Sequence, residues 1–312
     1  MAIVAAERLR EVGGEVVAEA DGAAHFEERR SIERPKSHRR REHLSLQDPS
    51  TTMSQDARLQ PESSTDAPLP STLLQAAEAG DVSAAFDFLQ AGSNANESTS
   101  TGTTALMKAA HAGHAEVVKL LLQHGADAAA HDSTNGSTAL ILAAAQGHIE
   151  CVTSLLAASG TSPAERDSEG RSPILYAARR GHVEILRLLL TAAPTEVDAT
   201  DETGLTPLMA AAHAGQLTAV NELLQAAASV YTRDQTGATA LHAAAWSGRL
   251  DVAQVLIQAG ARSDARDEEG NLPVDVAEDA ALRDMLSAAL DEQYEHWSEK
   301  SYDSAQDDRP WH

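Results

Sequence analysis

The chain has 312 residues, a net charge of −23 and 42% hydrophobic residues, of which only ten are aromatic. That length holds one large or two ordinary domains, and Ala and Leu in place of aromatic residues suit thin, closely stacked helices better than packed sheets. Residues 1–70 hold 10 Lys/Arg and 13 Asp/Glu, so the following 242 residues carry −20; an acidic body of this kind repels phosphate backbones and disfavours nucleic acid as a partner.

Residues 1–28 contain one short amphipathic stretch interrupted by Gly13-Gly14, with no apolar region of a secretory signal. Residues 29–43 (RRSIERPKSHRRREH) set seven Lys/Arg against two Glu, a composition open to nuclear import, anionic-surface contact or simple solvation. Residues 45–72 are rich in Ser and Thr, with Pro49, Pro61, Pro68 and Pro70, which reads as a linker. Met53 lies inside it as an alternative start, which would leave residues 1–52 out of the working protein. The reading is therefore a disordered, locally basic arm over 1–70.

From Ser71 a single pattern repeats. In residues 102–127 (GTTALMKAAHAGHAEVVKLLLQHGAD), a Gly and a hydroxyl residue precede Leu106, the pair Ala109-Ala110, a second Gly113 and a Val/Leu-rich block. The first Gly recurs at 102, 136, 170, 204, 237 and 270, and the second at 80, 113, 147, 181, 215 and 248. Units are expected near 71–101, 102–135, 136–169, 170–203, 204–236, 237–269 and 270–290, the first and last as caps. In the first cap, Phe86 and Phe88 are expected to fill space left by a missing neighbour; in the last, Asp275, Glu278, Asp279 and Asp284 are expected to face solvent.

Within a unit the letters carry their own reasons. Thr104, Thr138, Ser172, Thr206 and Thr239 are placed to cap a first helix, with Pro173 and Pro207 at its first position. The second Gly ends that helix in the left-handed region. Asp132, Asp167, Asp201, Asp234 and Asp267 are turn formers. The Gly after the second helix is present at 125 and 260, displaced at 160, and lost at Ala193-Pro194 and Ala227, where altered connections are expected.

A period near 33 with this internal order resembles the ankyrin repeat, a β-turn plus two helices per unit. The resemblance covers about residues 71–290 and implies an all-α ankyrin-repeat solenoid of about seven stacked helix-turn-helix units. It also implies a non-enzymatic protein–protein interaction module, with partners held by the turn tips and the concave face of the first helices. On that face the two residues before each second Gly give the candidates His111, Gln146, Arg179, Arg180, His213 and Trp246. The turn tips add Glu169, Arg171, Glu202, Leu205, Gln235 and Glu268. Adaptor or scaffold action is the main reading; a regulatory inhibitor, an assembly chaperone or a nuclear regulator using the basic arm are the alternatives. The expected partner is a protein, possessing a basic rim if it meets the acidic tips, with no nucleic acid through the repeats and no membrane insertion. A monomer in the cytoplasm, with a nuclear location open, completes the expectation.

No chemistry-bearing motif intervenes. The thirteen His supply no third and fourth metal ligand at recognised spacing, and phosphate-binding, dinucleotide and nucleophile motifs are missing, so no catalytic residue, cofactor or metal is expected. His114, His148 and His182 follow the second Gly in a structural slot. Cys151 occupies a small apolar slot and excludes an internal disulfide. Residues 291–312 (DEQYEHWSEKSYDSAQDDRPWH) combine seven Asp/Glu with Tyr294, Trp297, Tyr302 and Trp311. This acidic-aromatic tail suits either a partner-binding peptide or a segment packed on the last unit.

Overall fold

The computed structural model describes residues 70–304, with side chains through Tyr294. The arm over 1–69, with its basic cluster and Met53, lies outside the described residues, as do the side chains of Trp297 and Tyr302 and all of Trp311.

Six helix pairs follow in order: α1 (Leu73–Ala79) with α2 (Val82–Gln90), α3 (Ala105–Ala112) with α4 (Ala115–Gln123), and α5 (Ala139–Gln146) with α6 (Ile149–Leu156). Then come α7 (Pro173–Arg180) with α8 (Val183–Ala192), α9 (Pro207–Ala214) with α10 (Leu217–Gln225), and α11 (Ala240–Trp246) with α12 (Leu250–Gln258). A single helix, α13 (Ala280–Ser304), closes the series. First helices pack on first helices and second helices on second helices, so each unit meets only its neighbours. Among the described residues there are no strands, only an isolated bridge between Ser98 and Thr104.

The caps form as the hydroxyl residues require. Thr104, Thr138, Ser172 and Thr206 each accept a hydrogen bond from the backbone N–H three residues on, at 3.2–3.4 Å. Paired Ala residues, Ala109-Ala110 and Ala177-Ala178 among them, are fully buried and let neighbouring helices approach closely. On the second helices the buried positions fall at spacing i, i+1, i+4, as in Val117, Val118 and Leu121 or Ile185, Leu186 and Leu189. Each fully buried Leu or Ile of this set contributes about 1.5–3 kcal/mol.

Three ties lock one unit to the next. At the turn tips, backbone bonds run Ser133 N to Thr101 O (2.8 Å), Ser168 N to Asn135 O (2.8 Å), Glu202 N to Glu169 O (3.0 Å), Gln235 N to Thr203 O (2.9 Å) and Glu268 N to Thr236 O (2.9 Å). At the opposite end of the first helices, the His that follows the second Gly in three units reaches back one unit. His114 Nε2 meets Glu78 O at 3.0 Å and His148 Nε2 meets His111 O at 2.9 Å. His182 Nε2 meets Ala145 O at 3.3 Å. The structural expectation for this His slot holds, and each ring lies over the Gly of the preceding unit.

The third tie is His242, which is buried. Its Nδ1 accepts from Thr239 N at 3.2 Å, so Nε2 carries the proton it donates to Asn271 O of the next unit at 3.2 Å. Burial holds its pKa below the usual 6.5, opposed by the bond to Asn271. A folded pKa below the unfolded value means that acid favours the unfolded chain. The stability His242 contributes is present above about pH 6.5 and is lost as pH falls below it. His242→Leu leaves Thr239 N without a partner and removes the bond to Asn271 O, which keeps only Asp267 N at 3.0 Å, and is expected to cost about 2 kcal/mol at pH 7.5. Chemical denaturation of both proteins at pH 7.5 and pH 5.0 should show the gap between them narrowing in acid; an unchanged gap would contradict this role.

Four features of the fold itself depart from the sequence reading. The seventh unit lacks its first helix: residues 273–276 form a turn, held by Leu272 N donating to Asp275 Oδ2 at 2.8 Å. Asp279 then caps α13 through Leu282 N at 2.9 Å. The four expected acids, Asp275, Glu278, Asp279 and Asp284, are exposed there. Secondly, α13 runs through residue 290 to Ser304, so the tail's first half continues the last helix. Gln293 ties that helix to the preceding unit, accepting from Ser263 N at 2.9 Å and donating to Ala261 O at 3.1 Å.

Thirdly, Ala227 keeps the left-handed turn of its Gly counterparts at φ 64°, so that connection is unaltered in shape; only the one at Ala193-Pro194 changes, into a 3₁₀ turn over Pro194–Asp198. The turn's own hydrogen bonds, Ala227 N to Leu224 O and Ala228 N to Leu223 O, hold Ala227 there. Lastly, Phe86 is 45% exposed and meets His124 of the next unit edge-on at 6.5 Å, so it shields no vacant end.

Candidate functional site

The slots before each second Gly sit at the C-terminal ends of the first helices and line up because those helices stack in register. His111 and Gln146 are half-buried and adjacent, with Gln146 Nε2 3.2 Å from His111 Nε2. Ala145 is buried beside Ile141 and Tyr176. Arg179 is half-buried and Arg180 exposed. His213 and Trp246, both half-buried, stack with ring centroids 5.5 Å apart and planes 19° from parallel.

Electrostatics distinguish the later rungs from the earlier ones. Arg249 occupies the slot that carries His in other units, its stem against Gly215, and its Nε donates to His213 O at 3.4 Å. Neither Arg180 nor Arg249 has a carboxylate partner among the described residues. Burial, with Arg179 and Arg249 beside it, holds the His213 pKa below its usual value, and its Nε2 is buried with no hydrogen-bond partner. The guanidiniums of Arg179 and Arg249 therefore lie beside the stacked aromatic pair, with Arg180 adjoining Arg179, on a strongly acidic body.

Next to it runs an apolar ridge that the sequence reading missed. The second residue after each second Gly opens a second helix, and Val82, Ile149, Leu217 and Leu250 in that slot are 36–44% exposed. The signal was available in the repeat, as the same slot reads Val82, Ala115, Ile149, Val183, Leu217 and Leu250.

The turn tips divide. Glu169, Glu202, Gln235 and Glu268 are exposed, as expected. Arg171 and Leu205 are not tip residues: they are 1% and 6% exposed. Their slot, directly after the first Gly, points inward toward the stack. Arg171 Nε donates to Asp167 Oδ2 at 2.9 Å, Tyr176 Oη donates to the same oxygen at 2.8 Å, and Arg171 lies over the Tyr176 ring at 5.2 Å. The turn Asp residues act as expected, Asp167 Oδ1 accepting from Glu169 N and Arg171 N and Asp234 Oδ1 from Thr236 N and Ala238 N.

Other places offer less. A cleft of about 660 Å³ lies between α13 and the end of α12, bordered by Tyr231, Arg262, Asp264 and Tyr294, with Arg262 and Asp264 paired to each other. Cys151 is fully buried and burial lifts its thiol to about 11, consistent with a packing role. Among the described residues no three His, Cys, Asp or Glu converge to hold a metal, and no helix is long and apolar enough to cross a membrane.

Comparison with known proteins agrees with this architecture. No curated protein matches the chain. The ankyrin-repeat domain of human ASB11 superposes with a TM-score of 0.64 at 29% identity, covering 70% of this chain and 98% of that one. The ankyrin-repeat domain of Bcl-3, a member of the IkappaB protein family, gives 0.60 at 28% identity, covering 69% and 97%. Repeats of this kind are protein-interaction modules. A family model for ankyrin repeats in three copies matches at residues 73–167, 129–201, 155–234 and 174–267, and the chain belongs to the ankyrin-repeat family.

Proposed function

We propose that the chain works as a non-enzymatic adaptor or scaffold that grips a protein partner on the face formed by its first helices, centred on His213 and Trp246. The observation that carries this reading is the stacked His213–Trp246 pair with Arg179 beside it. Trp and Arg dominate the energy of protein interfaces when water is excluded around them, and Trp246 and Arg179 are here half-buried and not part of the packed core. Exposed Glu169, Glu202, Gln235 and Glu268 at the tips form a rim, where charge sets partner choice more than affinity. The chain acts as a monomer, and the −23 charge that keeps nucleic acid away also keeps copies apart.

The test is capture from a native extract by the full chain, beside a Trp246→Ala, Arg179→Glu double variant shown by circular dichroism to be folded at the capture temperature. Loss of specific partners on the variant is the expected outcome; recovery of the same set in the same amounts would refute this face as the binding surface.

A further inference from the structure

We propose that the partner element taken by this face is a peptide segment rich in Asp or Glu that also carries apolar side chains. Its carboxylates would meet Arg180 and Arg249, and its apolar groups Trp246 and the Leu217–Leu250 ridge. The inference rests on the first-helix face being the binding surface and adds the chemistry of what binds there.

Charge argues first. The residues beyond the first 70 carry −20, yet Arg180 and Arg249 stand at this edge with no carboxylate partner among the described residues. Among the other cations, Lys108 is answered by Glu78 at 2.7 Å, Lys119 by Glu116 at 2.7 Å and Arg187 by Glu222, while the exposed Arg233, Arg266 and Arg283 donate to backbone carbonyls; Arg249 differs from these three in adjoining the exposed Leu250. Glu184 and Asp251, in the first turns of the adjoining second helices, are paired with neither arginine. An unanswered cationic patch on an acidic protein focuses negative ligands onto itself.

Apolar surface argues second. Leu217 and Leu250 are 36% and 38% exposed. Leu250 directly follows Arg249, and Arg249 lies against Gly215, two residues before Leu217. Cation and ridge are thus one surface, and a purely acidic segment would leave the ridge wet. Nucleic acid would present anions too, but its continuous phosphate charge would also have to face the acidic tips one helix length away.

The probe is a random twelve-residue peptide library displayed on phage, selected on the full chain and, in parallel, on an Arg180→Glu, Arg249→Glu variant. Both arginines are exposed, and because the variant gives up the Arg249 bond to His213 O, selection is run well below its own melting temperature. Wild-type selection should enrich net-negative peptides containing Leu, Phe or Trp. A synthetic peptide from that set should bind the variant about tenfold or more weakly at low salt, and weaken with added salt on the wild type. Leu217→Ser should also weaken it while leaving the salt dependence in place.

Failure separates the two ideas. Neutral or basic peptides whose binding is lost on the Trp246→Ala, Arg179→Glu variant would overturn the acidic-segment inference and leave the face as the binding surface. No enrichment, or binding indifferent to both double variants, would overturn both. A synthetic peptide of the chain's own residues 291–312 runs alongside; if it binds as tightly as the selected peptides, the patch belongs to a second copy of this chain and not to another protein.

Discussion

Asp167→Ala should be the most damaging single change in the repeat stack, lowering stability by about 3–5 kcal/mol, the usual result of breaking a buried ion pair from one side. The Asp167 carboxylate is wholly buried and Arg171 is 1% exposed, so neither charge can turn to water. Asp167 Oδ2 accepts from both Arg171 Nε and Tyr176 Oη, and burial, then the nearby carboxylate, pushes the Tyr176 phenol well above its usual range, keeping it a donor. Removing the carboxylate strands a guanidinium whose remaining acidic contact is the half-exposed Glu169 at 2.7 Å. It also frees the amides of Glu169 and Arg171. Asp201→Ala is the control: it loses the turn bonds to Thr203 N and Leu205 N but strands no charge, and should cost about 1–2 kcal/mol. Urea unfolding followed by circular dichroism separates the two; equal costs would mean that the Arg171 pair contributes nothing. Because the damaged unit is in the middle of a stack whose units meet only neighbours, Asp167→Ala should also broaden or split the transition.

The second large effect is expected at Gly147. Its φ is +86°, and a Cβ there would lie 2.7 Å from His182 Cε1. Gly147→Ala must therefore accept a left-handed conformation, costing about 1–2 kcal/mol, and also push aside the ring that bonds Ala145 O. The sum is about 3 kcal/mol. Gly248→Ala meets the same backbone condition at φ +67° with nothing within 4 Å of the new Cβ, so about 1 kcal/mol is expected there. Thermal melts of the two variants decide this, and similar losses would show that the close approach of one unit's His to its neighbour's Gly is not what requires Gly.

Repetition made the scaffold legible. The second Gly, the Asp before each turn, the hydroxyl caps at Thr104, Thr138, Ser172 and Thr206 and the His at 114, 148 and 182 perform the jobs their chemistry suggests, because those jobs recur from unit to unit; Thr239 is the exception, its hydroxyl meeting His242 Nδ1 at 3.0 Å in place of a backbone N–H. What escaped was direction. Following the tip Gly suggests a tip position for Arg171 and Leu205, but that slot reads Thr103, Ser137, Arg171, Leu205, Ala238 and Asn271, and none of the six is fully exposed. An apolar Leu205 in the slot was the available sign that a charged residue there would be buried and paired. Ala227 escaped for another reason: its left-handed turn is imposed by the hydrogen bonds that end α10, which outweigh the preference of its own residue type.

The candidate site was half visible. Arg179, Arg180, His213 and Trp246 stood out as departures from the repeat, and the structure brings His213 and Trp246 into a stack. Arg249 was hidden in a slot read as scaffold, where it keeps the His-like bond to the preceding carbonyl and brings a charge that His does not. Leu217 and Leu250 were hidden because an apolar letter at a helix start reads as core until its exposure is known.

The measurement that bears most directly on the recognition surface is the affinity of purified full-length chain for a partner recovered by it, set against the Trp246→Ala, Arg179→Glu variant by titration calorimetry. If the first-helix face is the grip, binding weakens by about tenfold or more at a temperature where both proteins are fully folded by circular dichroism. Equal affinities in two folded proteins would contradict it.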